Sequence, residues 1–203
     1  MKYTDYKYKA TKVPIKNITN YFKDLNLNTN NFITADIGAF GGYTSYQMLE
    51  EITPKMHYIV DSYEFYDKWT HLKNFGEWKN VGGKLTNNDF NNVYLYTKSI
   101  FNKYNNVTIV KSYAEDFLKK FDDESFDFIF SGINVEPKLL CDIMRIVYKK
   151  IKRNGYISGY PYKSSSTYHE SIKDLLGFKD VKKVSKVKGN IFLLKKEDID
   201  DSY

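Results

Sequence analysis

The chain has 203 residues, 42% of them hydrophobic and 28% charged, which is typical of one globular domain. No apolar run approaches the roughly 18 residues of a membrane span, and the first residues lack the apolar segment of a secretory signal. Cys141 is the only cysteine, which excludes an internal disulfide and a cysteine-cluster metal site. We expect a cytoplasmic protein that does not bind membranes.

The net charge of +6 permits two interpretations. Arg145 and Arg153 are the only arginines, so 29 of the 31 basic residues are lysines. An AT-rich genome favours such a surface, because lysine and asparagine have AT-rich codons. The alternative is a nucleic-acid-binding face, where arginine is the usual phosphate and guanine ligand. Lysines cluster only at residues 149–153 and 179–188, so the first interpretation is favoured.

The spacing of apolar residues predicts strands and helices in alternation. A first helix is predicted at residues 15–25. Five strand-like runs follow at residues 32–37, 56–60, 107–110, 126–130 and 156–159. Helices are predicted at 43–52, around 89–104, at 114–120 and at 137–151, the last closed by Asn154-Gly155. Two strand runs at 180–187 and 191–196 predict a terminal hairpin.

This alternation predicts an α/β fold, a doubly wound Rossmann-like sheet with helices on both faces and an antiparallel hairpin at its end. We divide the chain into an N-terminal helical or irregular extension at residues 1–31 and a main domain at residues 32–200. An insertion at about 62–106 is too long for a plain crossover. Its aromatic first part is expected to form a lid over a ligand or, alternatively, a loop held by its own hydrophobic cluster.

The sequence Asp36-Ile-Gly-Ala-Phe-Gly-Gly42 joins the strand at 32–37 to the next helix. Ligands of open α/β sheets bind at the carboxyl ends of strands, and glycines there let backbone N–H groups approach the ligand. The dinucleotide pattern G-x-G-x-x-G is not met, because Phe40 and Tyr43 stand at two of its glycine positions. A turn without a ligand is the alternative interpretation.

Two further strand ends carry polar residues in register with this turn. Asp61 follows Gly38 by 23 residues, where a carboxylate would hydrogen-bond ribose hydroxyls; a turn cap is the alternative. Residues 112–116 follow the third strand, where backbone and an acidic side chain would read an adenine edge. N-capping by Ser112 is the alternative there. Three such features at successive strand ends favour a ligand site.

On residues 36–45, 58–61, 106–112, 125–130 and 152–159, the chain resembles the class I S-adenosylmethionine-dependent methyltransferases. Within them it is most similar to the macrocin and cephalosporin-type small-molecule O-methyltransferases. The resemblance implies a seven-stranded sheet and S-adenosylmethionine as the cofactor. The cofactor-binding residues that it implies are Asp36, Gly38, Ala39, Phe40, Gly42, Tyr43, Thr44, Asp61, Ser62, Ala114, Glu115 and Ser131.

The same resemblance implies a role for each part of this set. The glycine turn would wrap the methionine part of the cofactor, with Asp36 beneath it near the amino group. Asp61 would hold the ribose, and Ala114 with Glu115 would flank the adenine. The first backbone N–H groups of the following helix would contact the cofactor carboxylate.

The chain departs from the family pattern where the acceptor would bind. Ser131 stands where the fourth strand usually ends in an acid, and Pro161 where a second acid is usual. With few oxygen ligands left, we expect no divalent metal. The remaining candidates for a general base are Glu136, His169, Tyr160 and Tyr162.

The resemblance implies methyl transfer to a small hydroxyl-bearing acceptor such as a sugar. Two alternatives stay open. The acceptor is RNA or another nucleic acid, which only the lysines support, or the chain is a catalytically inactive binding or partner subunit, which the two missing acids support. The sequence does not indicate an oligomeric state.

Overall fold

Seven strands form one sheet in the computed structural model, which describes residues 15–64, 86–133, 135–159, 185–187 and 191–196. The strands are β1 (Ile33–Ile37), β2 (Met56–Asp61), β3 (Val107–Lys111), β4 (Phe126–Ser131), β5 (Ile151–Gly159), β6 (Ser185–Val187) and β7 (Ile191–Lys195). The helices are α1 (Lys16–Asp24), α2 (Tyr43–Glu51), α3 (Asn87–Phe101), α4 (Ala114–Leu118) and α5 (Pro137–Lys150). The predicted α/β fold is confirmed.

The strand order is β3-β2-β1-β4-β5-β7-β6. The pairs among β1 to β5 are parallel, whereas β7 is antiparallel to both β5 and β6. The carboxyl ends of the five parallel strands therefore meet at one edge of the sheet. The predicted antiparallel hairpin is confirmed where it is described, with Val187 opposite Ile191. Residues 180–184 and 188–190 lie outside the described residues.

Helices cover both faces of the sheet. On one face, α4 and α5 pack against β1, β4 and β5, and Val147 and Ile157 are both fully buried. On the other face, α1 and α2 pack against β4, β5 and β7. Helix α3 packs beside α2, with Phe101 in the same cluster as Ile59 of β2. Within the described residues, no helix is long and apolar enough to cross a membrane.

The N-terminal helix is part of the main core. Ile18 and Phe22 of α1 are each 1% exposed, and their four-residue spacing places them on one helix face. The Phe22 ring lies 5.3 Å from that of Phe128 and 5.2 Å from that of Tyr156, between centroids. Residues 15–24 therefore share the core of the sheet.

The boundary between α5 and β5 differs from the prediction. Asn154-Gly155 does not close the helix, because α5 ends at Lys150 and β5 begins at Ile151. Ile151 is fully buried, and its burial draws the chain into the sheet at once. Between Phe126 and Phe128 the pairing of β4 with β5 shifts, so that Asn154-Gly155 lies in an irregular part of β5.

The predicted helix in the segment at 62–106 is confirmed as α3. Its N-terminus has a capping box, in which the Thr86 hydroxyl accepts from the Asp89 backbone N–H and the Asp89 carboxylate accepts from the Thr86 backbone N–H. The aromatic lid predicted ahead of it, at residues 63–69 with Phe75 and Trp78, lies outside the described residues except for its first two. Of these, Tyr63 is fully buried in a cluster with Phe90 and Val93 of α3.

Candidate functional site

The turns after β1, β2 and β4 are joined by backbone hydrogen bonds at the carboxyl edge of the sheet. The N–H groups of Gly38 and Ala39 donate to the Val60 carbonyl oxygen, at 2.8 and 3.1 Å. The Gly132 N–H donates to the Ile37 carbonyl oxygen at 2.8 Å. This edge is where the strand order reverses around β1, the position at which open α/β sheets bind their ligands.

Two glycines of the turn adopt a left-handed backbone, with φ of 75° at Gly38 and 76° at Gly42. A Cβ at Gly38 would lie 2.8 Å from the Ile133 nitrogen, and one at Gly42 would lie 2.8 Å from the Phe101 ring. Both positions therefore need glycine for its conformation and for close packing. The turn is held between the segment after β4 and helix α3.

Asp36 lies beneath the turn and is 1% exposed. Its Oδ2 accepts a hydrogen bond from the Ser45 hydroxyl at 2.6 Å, and the carboxyl group also accepts from the Ser45 backbone N–H. Because Gly42, the N-cap of α2, has no side chain, Asp36 caps this helix from below. Its Oδ1 has no partner among the described residues. Burial raises the pKa of Asp36 from 3.8 to about 7, although the Ser45 hydrogen bonds act to lower it.

Asp61 ends β2 and is 5% exposed. Its Oδ2 accepts from the Phe40 backbone N–H at 2.9 Å, and its Oδ1 accepts from the Tyr63 backbone N–H at 2.8 Å. Burial raises the pKa of Asp61, and the two N–H donors act in the opposite direction. Each carboxylate oxygen has two lone pairs. The group therefore caps a turn and still has acceptor capacity for two hydroxyls.

The turn after β3 lies next to Asp61. The Ser112 N–H donates to the Asp61 carbonyl oxygen at 2.9 Å. Tyr113, not Ser112, is the N-cap of α4, and the Ser112 hydroxyl donates to the Tyr113 carbonyl oxygen instead, so the capping alternative is wrong. The Tyr113 hydroxyl donates to Glu64 Oε2 at 2.6 Å and joins the turns after β2 and β3 a second time.

The turn after β4 supplies little chemistry of its own. Ser131 is fully buried at the end of β4, in the position where the family pattern has an acid. Glu136 is exposed and is the N-cap residue of α5, without a side-chain capping bond. Among the described residues, no group of three His, Cys, Asp or Glu side chains is placed to hold a metal ion.

The structure places most of the predicted site residues at one edge. Those on the turns after β1 to β4, or directly beside them, are Asp36, Gly38, Ala39, Phe40, Gly42, Tyr43, Thr44, Asp61, Ser62, Ala114, Glu115 and Ser131. Glu136 lies at the start of α5, beyond the turn after β4. The other candidate bases, Tyr160, Tyr162 and His169, lie outside the described residues.

The sequence analysis did not identify the residues that hold Asp36 and the glycine turn in place. Ser45, the partner of Asp36, was signalled only by the absence of a capping side chain at Gly42. The role of α3 had no local signal. The Thr97 hydroxyl donates to the Val93 carbonyl oxygen at 2.8 Å and lies 3.4 Å from the Phe40 carbonyl oxygen, and Phe101 packs on Gly42.

Of three comparisons with known proteins, the one with solved structures finds matches to this architecture. No protein-family model matches the sequence, and no curated protein matches it. Among solved structures, the O-methyltransferase NovP superposes with a TM-score of 0.62 at 12% identity, covering 89% of this chain and 78% of that chain. Precorrin-6y C5,15-methyltransferase from Geobacter metallireducens gives a TM-score of 0.57 at 15% identity, covering 86% and 77%.

A further match is the YcgJ protein from Bacillus subtilis, with a TM-score of 0.45 and 16% identity over 70% of this chain. The chain spans 48% of the length of that protein. The likeness to NovP and to the precorrin-6y methyltransferase, at 12% and 15% identity, shows the fold alone. The chain has the fold of the class I S-adenosylmethionine-dependent methyltransferases, as the resemblance implied, and the macrocin-type subgroup stays a prediction.

Proposed function

We propose that this chain is an S-adenosylmethionine-dependent methyltransferase that acts on a small hydroxyl-bearing acceptor such as a sugar. The observation that carries the proposal is the carboxylate of Asp61, which two backbone N–H groups orient at the carboxyl end of β2 beside the glycine turn. The O-methyltransferase NovP, which shares the fold, supports an oxygen acceptor.

The polar groups of this edge fit the three polar parts of S-adenosylmethionine. Asp61 has acceptor capacity for the two ribose hydroxyls. The unpartnered Oδ1 of Asp36 suits an ammonium group, because a buried carboxylate oxygen without a donor is costly. The N-terminus of α2, at Gly42, suits a carboxylate through its backbone N–H groups and helix dipole.

When bound, S-adenosylmethionine supplies a methyl group that is already activated on a sulfonium. The contribution of the protein is therefore largely to position the cofactor and the acceptor, and good alignment is worth several kcal/mol. Among the candidates for the base that takes the hydroxyl proton, Glu136 is the one that lies within the described residues, and it is exposed at the start of α5.

Replacing Asp61 with alanine is expected to weaken the binding of S-adenosylmethionine and of S-adenosylhomocysteine roughly 10- to 100-fold, because two charge-assisted hydrogen bonds are lost. Isothermal titration calorimetry measures the change. Asp142→Ala is the matched control, since Asp142 is a half-exposed acid paired with Arg145 on α5 and its loss should leave binding unchanged. Binding of NAD with no binding of S-adenosylmethionine or S-adenosylhomocysteine would contradict the proposal.

The geometry of the basic cluster at 149–153 argues against a nucleic-acid acceptor. Lys150 pairs with Asp123 at 2.7 Å and Lys152 with Asp127 at 2.9 Å, so part of its charge is neutralised. The cluster also lies where β4 and β5 begin, about 15–20 Å along the strands from the glycine turn. Of the second lysine cluster, at 179–188, only residues 185–187 are described.

A labelled-methyl assay with separate pools of sugars, nucleotides and RNA tests the acceptor. We expect transfer to a small hydroxyl compound that persists in a chelator. At S-adenosylmethionine concentrations near the wild-type Kd, this transfer should fall sharply in Asp61→Ala. Transfer to RNA, with steep salt dependence of RNA binding, would favour the nucleic-acid alternative. Activity that is lost in the chelator and restored by magnesium would overturn the metal-independent part of the proposal.

A binding or partner subunit is the second candidate function. The serine at the end of β4 favours it, because Ser131 offers no carboxylate to an acceptor. A retained cofactor would still stabilise such a protein, since a ligand that binds only the folded state adds RT ln(1 + [L]/Kd). Cofactor binding without transfer to any pool would support this candidate.

A further inference from the structure

Two aromatic residues with a left-handed backbone hold the Asp61 carboxylate. Phe40 and Tyr63 both have φ of 49°, a conformation that is uncommon for bulky residues. Each uses it to donate its backbone N–H to Asp61, Phe40 to Oδ2 and Tyr63 to Oδ1. The orientation of this carboxylate therefore depends on two strained backbone positions, one in the turn after β1 and one in the turn after β2.

A left-handed backbone at a non-glycine residue costs about 1–3 kcal/mol, and it persists only where the surroundings enforce it. Here both side chains pack in one cluster against α3. The Tyr63 ring centroid lies 5.0 Å from that of Tyr94, and the Phe40 centroid lies 6.4 Å from that of Phe90. Tyr63, like Phe90, is fully buried. The cluster holds the rings and thereby the two N–H groups.

We propose that Tyr63 is a positioning residue for Asp61: its ring, anchored on α3, fixes the backbone N–H that orients the carboxylate toward a ribose. The inference rests on the proposed function and deepens it, because it makes recognition of the ribose depend on the packing of α3. A ring that served only the core would affect the stability of the fold without acting on one part of the ligand.

The distinguishing measurement is therefore a ratio of affinities within one variant. S-adenosylhomocysteine and its 2′,3′-dideoxy analogue differ only in the hydroxyls that Asp61 would bind. We expect the wild-type chain to prefer the hydroxylated compound at least 10-fold. A partly unfolded variant binds both compounds more weakly by the same factor, so the ratio does not depend on the folded fraction.

In Tyr63→Leu the preference should fall at least fivefold, and in Asp61→Ala it should approach one. In the double variant, Tyr63→Leu should add nothing to the loss of preference, because it acts through Asp61. Val93→Ala, a smaller deletion in the same cluster, should lower the preference in the same direction and serves where Tyr63→Leu does not fold. Leu95→Ala is the control on α3, since Leu95 is 53% exposed.

A wild-type preference kept in both Tyr63→Leu and Val93→Ala would overturn the inference while leaving the proposed function intact. Failure of the wild-type chain to bind S-adenosylhomocysteine would overturn the proposed function, and the inference with it. Equal binding of the two compounds by the wild-type chain would show that Asp61 does not read the ribose and would also overturn the inference.

Discussion

The variant Asp36→Asn is expected to lack a pH-dependent loss of stability that the carboxyl group of Asp36 causes. Between pH 5 and pH 8 this loss amounts to roughly 3 kcal/mol in the free energy of unfolding. Burial raises the pKa of Asp36 from 3.8 to about 7 in the folded chain. Between those values the folded state binds the proton and the unfolded state does not, so stability falls as the pH rises through this window. Asparagine is neutral and nearly isosteric, so its profile lacks this fall. Urea unfolding at a series of pH values measures it.

The variant Ser45→Ala provides a second test of the pKa of Asp36. The hydroxyl of Ser45 lowers the pKa of Asp36 by donating to Oδ2. Without it, the pKa of Asp36 should rise further, and the fall in stability should extend to higher pH than in the wild-type chain. If the profiles of Asp36→Asn and the wild-type chain run parallel from pH 5 to pH 8, Asp36 does not exchange its proton there.

Replacing His57 with asparagine is expected to have the opposite effect, removing a loss of roughly 3 kcal/mol between pH 7 and pH 4. His57 is fully buried in β2, and this burial lowers its pKa from 6.5 to about 3. As the pH falls through that window, His57 binds a proton in the unfolded state but stays neutral in the folded state, and stability is lost. Asparagine keeps a polar partner for Thr34 Oγ1, which lies 2.7 Å from His57 Nδ1. Urea unfolding again provides the measurement.

Thr34→Val separates the titration of His57 from its hydrogen bond. This variant removes the bond but keeps the buried imidazole, so it should lower stability while the loss toward acid pH remains. Profiles of His57→Asn and of the wild-type chain that run parallel from pH 7 to pH 4 would show that His57 does not cause this loss.

These two buried groups oppose each other in the wild-type chain. Between about pH 4 and pH 6.5, Asp36 lowers stability with rising pH while His57 raises it with nearly equal slope. Their contributions should largely offset each other there, so each loss is measured as the difference between the wild-type profile and that of a single variant, not as a slope of the wild-type profile alone. The two single variants should then slope in opposite directions.

The order of strands and helices could be predicted because it depends on local patterns. Apolar runs that end at Gly38 and Asp61 mark two of the parallel strands, and the spacing of Leu140, Met144 and Val147 marks α5. The α5–β5 boundary was wrong because Asn154-Gly155 is a local end signal for a helix. The burial of Ile151 in the sheet outweighs that signal.

The position of the candidate site could be predicted from the same turns, but the residues that support it could not. Phe40 and Phe90 are 50 residues apart in the sequence, and no local pattern brings them together. The left-handed backbone at Tyr63 also has no signal, because aromatic residues rarely adopt it. Such features depend on tertiary packing between distant segments, and the local pattern of one segment does not predict its contacts with another.

The position of β7 has a consequence for synthesis of the chain. This strand inserts between β5 and β6, and its residues enter both cores: Phe192 and Leu194 on one face, Ile191 and Leu193 on the other. Because a ribosome delivers the N-terminal residues first, neither core can close until residues 191–195 have emerged. The glycine turn and Asp61 therefore lie on an incomplete sheet until β7, which begins 130 residues after Asp61, has been made.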